Sequence, residues 1–271
     1  MNIARICLKI LTLFLITMFT INFIQERICY LSFINKDKME KPLVEPEYIK
    51  ITDKLTGYGY RLDSDNENVI IYFGGNYNIA YNMVGKYAHS FDCTFISPDY
   101  YGTQDSKGHI NLKTMKKTAL DAYDYVKEQY PNKKVIVIGH SYGTGMATYL
   151  ASKRNVELLF VVSGFRDNAD IYNRTTPIFY GPLKVFISNN IKTSTYAKSV
   201  NNKAYVIGSK ADYTLPVSMQ EKLCSAFPNA ELKLFEDVEH SNYFKSKEVV
   251  DFIIDTIGLD HVDDKGDIEE L

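Results

Sequence analysis

The chain has 271 residues, 45% of them hydrophobic and 24% charged, with a formal net charge of −2. This is an ordinary globular balance, long enough for one large α/β domain with a full core. It excludes nucleic-acid binding through bulk positive charge, and the spacing of Cys7, Cys29, Cys93 and Cys224 implies neither a metal site nor a disulfide framework.

Residues 1–34 open with Arg5 and Lys9, then run almost wholly apolar over 10–24. Gln25-Glu26-Arg27 interrupts the apolar run before 28–34 turns apolar again. A spanning helix needs about 20 apolar residues and a signal-peptide core about 7–15, so the segment lies at the boundary between them. No small-x-small cleavage site follows, which favours an uncleaved membrane anchor; secretion after signal cleavage is the alternative. Lys and Arg occur on both sides, so orientation is left open. Residues 35–47, charged and carrying Pro42 and Pro46, read as a linker.

A domain over 48–258 follows. Residues 48–52 and 58–62 read as an antiparallel hairpin around Gly57. From Val69 the pattern alternates: strand 69–73, a Gly74-Gly75-Asn76 turn, helix 79–90, strand 93–97 ending at Pro98, and helix 112–129. Strand 135–138 and helix 144–153 come next, then strands 158–163, 203–208 and 231–235 and a closing helix over 246–257. Alternation of this kind predicts a doubly wound, mostly parallel sheet flanked by helices. Residues 164–202 read as cap-like material or a covering helix, and the acidic tail 259–271 as frayed.

The functional signal lies at Gly139-His140-Ser141-Tyr142-Gly143, between a buried β-branched strand and a helix. Turning from strand to helix in so few residues crowds the backbone, so the flanking positions favour glycine and the central residue stands strained and exposed. Ser141 is the candidate nucleophile, and the Tyr142 amide, at a helix N-terminus, can stabilise an oxyanion. A serine needs a base and the base an orienting partner. Of five histidines, only His240 lies just past the carboxyl end of a late strand. Asp212 lies just past the preceding strand, with Asp167 and Asp170 in reserve, and the order Ser141, Asp212, His240 is the one this elbow demands. Gly75 and the Asn76 amide, in the turn after 69–73, are the second oxyanion element. Asp99 is expected to fix the loop after Pro98, and His140 to pack away from the elbow.

These stretches resemble α/β-hydrolase-fold serine hydrolases over about residues 48–257. The likeness is to small α/β-hydrolase-domain proteins with an N-terminal membrane segment, among them acyl-protein thioesterases and serine peptidase-like members. It is carried by Ile70-Ile71-Tyr72-Phe73-Gly74-Gly75-Asn76, Ser97-Pro98-Asp99-Tyr100-Tyr101-Gly102, the elbow, 208–212 and His240. Gly74 stands where that family usually has histidine, and Thr144 where a second glycine often follows the elbow. The resemblance implies hydrolysis of an acylated or small-molecule ester, thioester or amide, without metal or organic cofactor. Two other readings are carried. One is a silent binding protein on the same fold. The other is an NAD-dependent dehydrogenase using Gly139, Gly143 and Gly145, against which no acidic residue ends the next strand.

Overall fold

Among the described residues, eight strands form one sheet. A computed structural model describes residues 3–34, 39–77 and 79–262. The strands are β1 (Glu47–Lys50), β2 (Thr56–Tyr60), β3 (Asn68–Phe73), β4 (Thr94–Pro98), β5 (Lys134–His140), β6 (Leu158–Val162), β7 (Lys203–Ser209) and β8 (Ala230–Phe235). Their order is β1-β2-β4-β3-β5-β6-β7-β8. The β1–β2 hairpin is antiparallel and joins β4 antiparallel; β3 to β8 are parallel. All the parallel strands therefore end at one edge, where Phe73 lies beside Gly139, His140 beside Val162 and Ser209 beside Phe235.

Among the described residues the α-helices are α1 (Ile3–Ile34), α2 (Ala80–Tyr87), α3 (Leu112–Gln129), α4 (Gly143–Ala151), α5 (Asn168–Thr175), α6 (Thr193–Ala197), α7 (Val217–Cys224) and α8 (Lys247–Ile257). Alternate strand residues serve opposite faces. Val69, Ile71, Val135, Val137 and Val161 bury against Met115 and Val126 of α3, Met146 and Leu150 of α4 and Leu223 of α7. Ile70, Tyr72, Ile136, Ile138 and Phe160 bury against Val84 of α2 and Val249 and Ile253 of α8. Because both faces are covered, the central strands are apolar throughout rather than alternating.

The first helix, α1, runs unbroken through the polar Gln25-Glu26-Arg27. Gln25 donates to Thr175 and Thr176, and Glu26 accepts from Ser188 and Asn189, so these good helix formers stay helical while their heads are satisfied by the 164–202 segment, called the cap below for its place in the chain. Residues 164–202 are not one covering helix but α5, a 3₁₀ turn over Gly181–Phe186, and α6. Asp99 accepts from the Ala80 amide and the Thr56 hydroxyl, tying β2 to the start of α2 rather than bracing its own loop. Residues 35–38 of the expected linker and 263–271 of the expected frayed tail lie outside the described residues.

The inner face of α1 packs on the domain. Cys29, Tyr30 and Phe33 are buried in the core that includes α3 and α4. Met18 is buried with Ala169, Tyr172, Phe179 and Ile187 of the cap.

Candidate active site

The β5–α4 turn places Ser141 at φ 52°, in the left-handed region, where a non-glycine residue is held only by its surroundings. Its amide donates to Val162 O, and its carbonyl accepts from the Thr144 amide and hydroxyl. Gly143 has no room for a side chain: a Cβ there would lie 2.1 Å from Phe73 O, because α4 starts directly against the end of β3. The elbow is thus locked between two neighbouring strands.

His240, in the loop after β8, brings Nε2 to 3.0 Å from Ser141 Oγ and Nδ1 to 3.0 Å from Asp212 Oδ2. An ionised carboxylate can only accept, so Nδ1 carries the proton and Nε2 is free to accept from the serine hydroxyl. The imidazole is about one quarter exposed and the Asp212 side chain fully buried. Asp212 Oδ1 accepts from the amides of Thr214 and Leu215, and Oδ2 accepts from the hydroxyls of Ser163 and Tyr243 as well as from His240. Burial alone would raise its pKa; the hydrogen bond and charge of His240, with the Leu215 and Ser163 donors, outweigh burial and hold the carboxyl below its ordinary value. The reserve carboxylates serve elsewhere. Asp167 caps α5 and pairs with Lys184, while Asp170 pairs with Arg166.

Two members of this network escaped the reading of the sequence. Ser163, also at positive φ (51°), directly follows β6; its hydroxyl donates to Asp212 Oδ2 (2.5 Å), and its oxygen lies 3.1 Å from His240 Nδ1. Tyr243 lies three residues beyond His240 with its hydroxyl 3.1 Å from Asp212 Oδ2. The signal for Ser163 was its place at the carboxyl edge of the strand next to the elbow, the same argument that selected His240. His140 is buried as expected for a packing residue, and it also has a polar role: its Nε2 donates to His240 O at 3.1 Å, fixing the loop that carries the imidazole.

Burial, with the neighbouring His240, pushes His140 down to about 3. The unfolded chain therefore takes up this proton first as pH falls, so the stabilisation is intact above about pH 6.5 and is lost between there and about pH 3, by about 1.4 kcal/mol per pH unit. Asp99, raised by burial to about 7, contributes the opposite slope over an overlapping range. Comparing wild type with His140→Phe leaves Asp99 in place in both. The variant is expected to lose the acid-side fall of stability that His140 causes, measured by urea unfolding across a pH series.

The turn after β3 runs alongside the serine. A Cβ on Gly75 would stand 2.9 Å from Ser141 Cβ and 3.3 Å from its Oγ, so only glycine lets this backbone come so near. Tyr100 donates to Gly74 O, and the Tyr77 amide donates to Ser32 O of α1. The Phe33 ring packs edge-on against Tyr100 (5.4 Å) and Tyr142 (5.5 Å), and Cys29 is buried in the same core cluster. The segments bearing Gly75, Asn76 and Tyr142 are thereby all backed by the end of α1. Among the described residues no group of three or more His, Cys, Asp or Glu side chains is gathered as a metal would require.

The family model described as the alpha/beta hydrolase fold matches residues 69–164, from β3 through the elbow. No curated protein matches the sequence. Among solved structures, the esterase Pf2001 of Pyrococcus furiosus is 16% identical, with a TM-score of 0.62 over 83% of this chain and 96% of that one. Est1E of Butyrivibrio proteoclasticus, solved with ferulic acid bound, is 16% identical with a TM-score of 0.58, over 78% of this chain and 99% of that one. An acylaminoacyl peptidase of Pyrococcus horikoshii is 13% identical with a TM-score of 0.56, over 83% of this chain and 43% of that longer one. Likenesses at such low identity establish a shared fold.

Proposed function

The chain is an α/β-hydrolase-fold protein, and from that premise we propose that it is a serine hydrolase cleaving an ester, thioester or amide. One observation carries the proposal: the continuous hydrogen-bonded line from Ser141 Oγ through the His240 ring to the buried Asp212 carboxylate. In this reading Ser141 Oγ attacks the substrate carbonyl while His240 Nε2 takes its proton. Asp212 holds the tautomer and stabilises the imidazolium. The Tyr142 amide and the Gly75–Asn76 turn receive the oxyanion. The protonated imidazole then donates to the leaving group, and water, activated by the same nitrogen, releases the acyl group from Ser141. The esterases and peptidase among the structural neighbours make carboxylic esters and acylated amines the first substrates to assay. The proposed location is the membrane, through α1, which is long and apolar enough to span one.

An activity-based fluorophosphonate probe is expected to label the full chain in detergent and to leave Ser141→Ala unlabelled. Labelling that persists in the variant would place the nucleophile elsewhere.

A further inference from the structure

The outer face of α1 stays apolar where its inner face is docked. Phe19, Phe23, Ile24, Ile28 and Leu31 are each more than half exposed, beyond the point where Met18 is buried against the cap. Beside them lies the 3₁₀ turn Gly181–Phe186, whose tip residue Val185 is 81% exposed and whose preceding Tyr180 is 58% exposed. The two elements touch: Phe186 packs edge-on against Phe14 (5.9 Å) and Phe19 (5.4 Å).

Phe14 and Phe19 lie within the apolar run 10–24, not at its end. A span requires about 20 apolar residues, so any placement of α1 across a bilayer takes these two aromatics in with it. The cap that grips them cannot then remain in bulk water. The Arg27 guanidinium lies over the exposed Phe23 ring, 5.4 Å from its centre, a cation–π contact on the outer face of α1.

We propose that the cap turn Gly181–Phe186 is a second membrane-contacting element, seated in the lipid interface beside α1. The occupant of this joint apolar face is a phospholipid bilayer. The proposal rests on the anchoring role given to α1. Its consequence is that the anchor is a fixed mount: it holds the carboxyl edge of the sheet, with Ser141, toward the bilayer, so substrates carrying lipid-soluble acyl groups would be met at the surface that dissolves them.

The chain has no tryptophan, so a single introduced indole reports its own surroundings. The full chain carrying Val185→Trp, with Tyr180→Trp as a second reporter, would be reconstituted in phosphatidylcholine vesicles. Leu13→Trp in α1 marks the anchor. Asn132→Trp, in the exposed turn before β5 at the opposite edge of the sheet, marks water. The expected result is blue-shifted emission from residue 185 relative to residue 132, and loss of its intensity in vesicles of brominated phosphatidylcholine, as for residue 13. Quenching at residue 13 but at neither 185 nor 180 would overturn the proposal and leave the anchor standing. No quenching at any of the three would overturn both. A blue shift at 185 without quenching by bromine would assign the face to a second copy of the chain and overturn the lipid assignment.

Discussion

Replacing Asp212 with asparagine is expected to lower kcat by about 10⁴-fold, with much smaller change in KM. The effect follows from the direction of protons rather than from lost volume. Oδ2 is the meeting point of three donors, Ser163 Oγ, Tyr243 Oη and His240 Nδ1. An asparagine amide nitrogen at that position would face those three donors. If instead its oxygen faced them, its nitrogen would meet the Thr214 and Leu215 amides that now donate to Oδ1. Either way a buried donor loses its acceptor, which costs about 1–3 kcal/mol. The first arrangement also favours the wrong imidazole tautomer, with Nε2–H facing Ser141. Steady-state kinetics on Asp212→Asn, with Asp167→Asn as the control that touches only the α5 cap and its Lys184 pair, distinguishes this from general loosening. An Asp212→Asn enzyme within tenfold of wild type would remove Asp212 from its assigned role. The same carboxyl also bears on stability. Its folded pKa lies below the ordinary value of 3.8, so its contribution is present above that pH and is lost as pH falls through the lowered folded value.

Removal of α1 is expected to be as damaging to folding as the Asp212 change is to chemistry. Met18, Tyr30 and Phe33 are each more than nine-tenths buried, and fully burying one large apolar side chain is worth about 1.5–3 kcal/mol. Three of them approach the whole net stability of a domain, about 5–15 kcal/mol. Their loss would also bare Tyr100, Tyr142, Tyr172 and Phe179. A chain begun at residue 39 is therefore expected to be recovered as aggregate. Phe33→Ala in the full chain is expected to be destabilised by about 3–5 kcal/mol, measured by urea unfolding in detergent, and to lose kcat because the rings behind the elbow and the turn after β3 lose their backing. A soluble, fully active chain from residue 39 would show α1 to be a tether alone.

The legible part of this protein is the part written in short stretches. The elbow is a run of five residues whose residue types follow from its own backbone crowding. The strands beside it are apolar because both sheet faces are covered, and their alternation with helices implies parallel strands sharing one edge. Once that edge is known, the choice of Asp212 and His240 follows from chain order. The cap was illegible for the opposite reason: α5, the 3₁₀ turn and α6 are short and carry too few residues to show a period.

By itself, the sequence determined the α/β class, the antiparallel hairpin, the elbow and the positions of Ser141, Asp212 and His240 relative to the strand ends, since each rests on local pattern or on strand order. Only the tertiary structure decided that Ser163 and Tyr243 join Asp212, that His140 secures the His240 loop, and that α1 stays helical through Gln25-Glu26-Arg27 to brace the turn after β3. Those contacts join side chains up to 163 positions apart, such as Asn189 with Glu26, and they involve single polar groups and isolated rings. A hydroxyl bonded to a carboxylate leaves no periodicity in the chain; it exists only where folding has brought the two together.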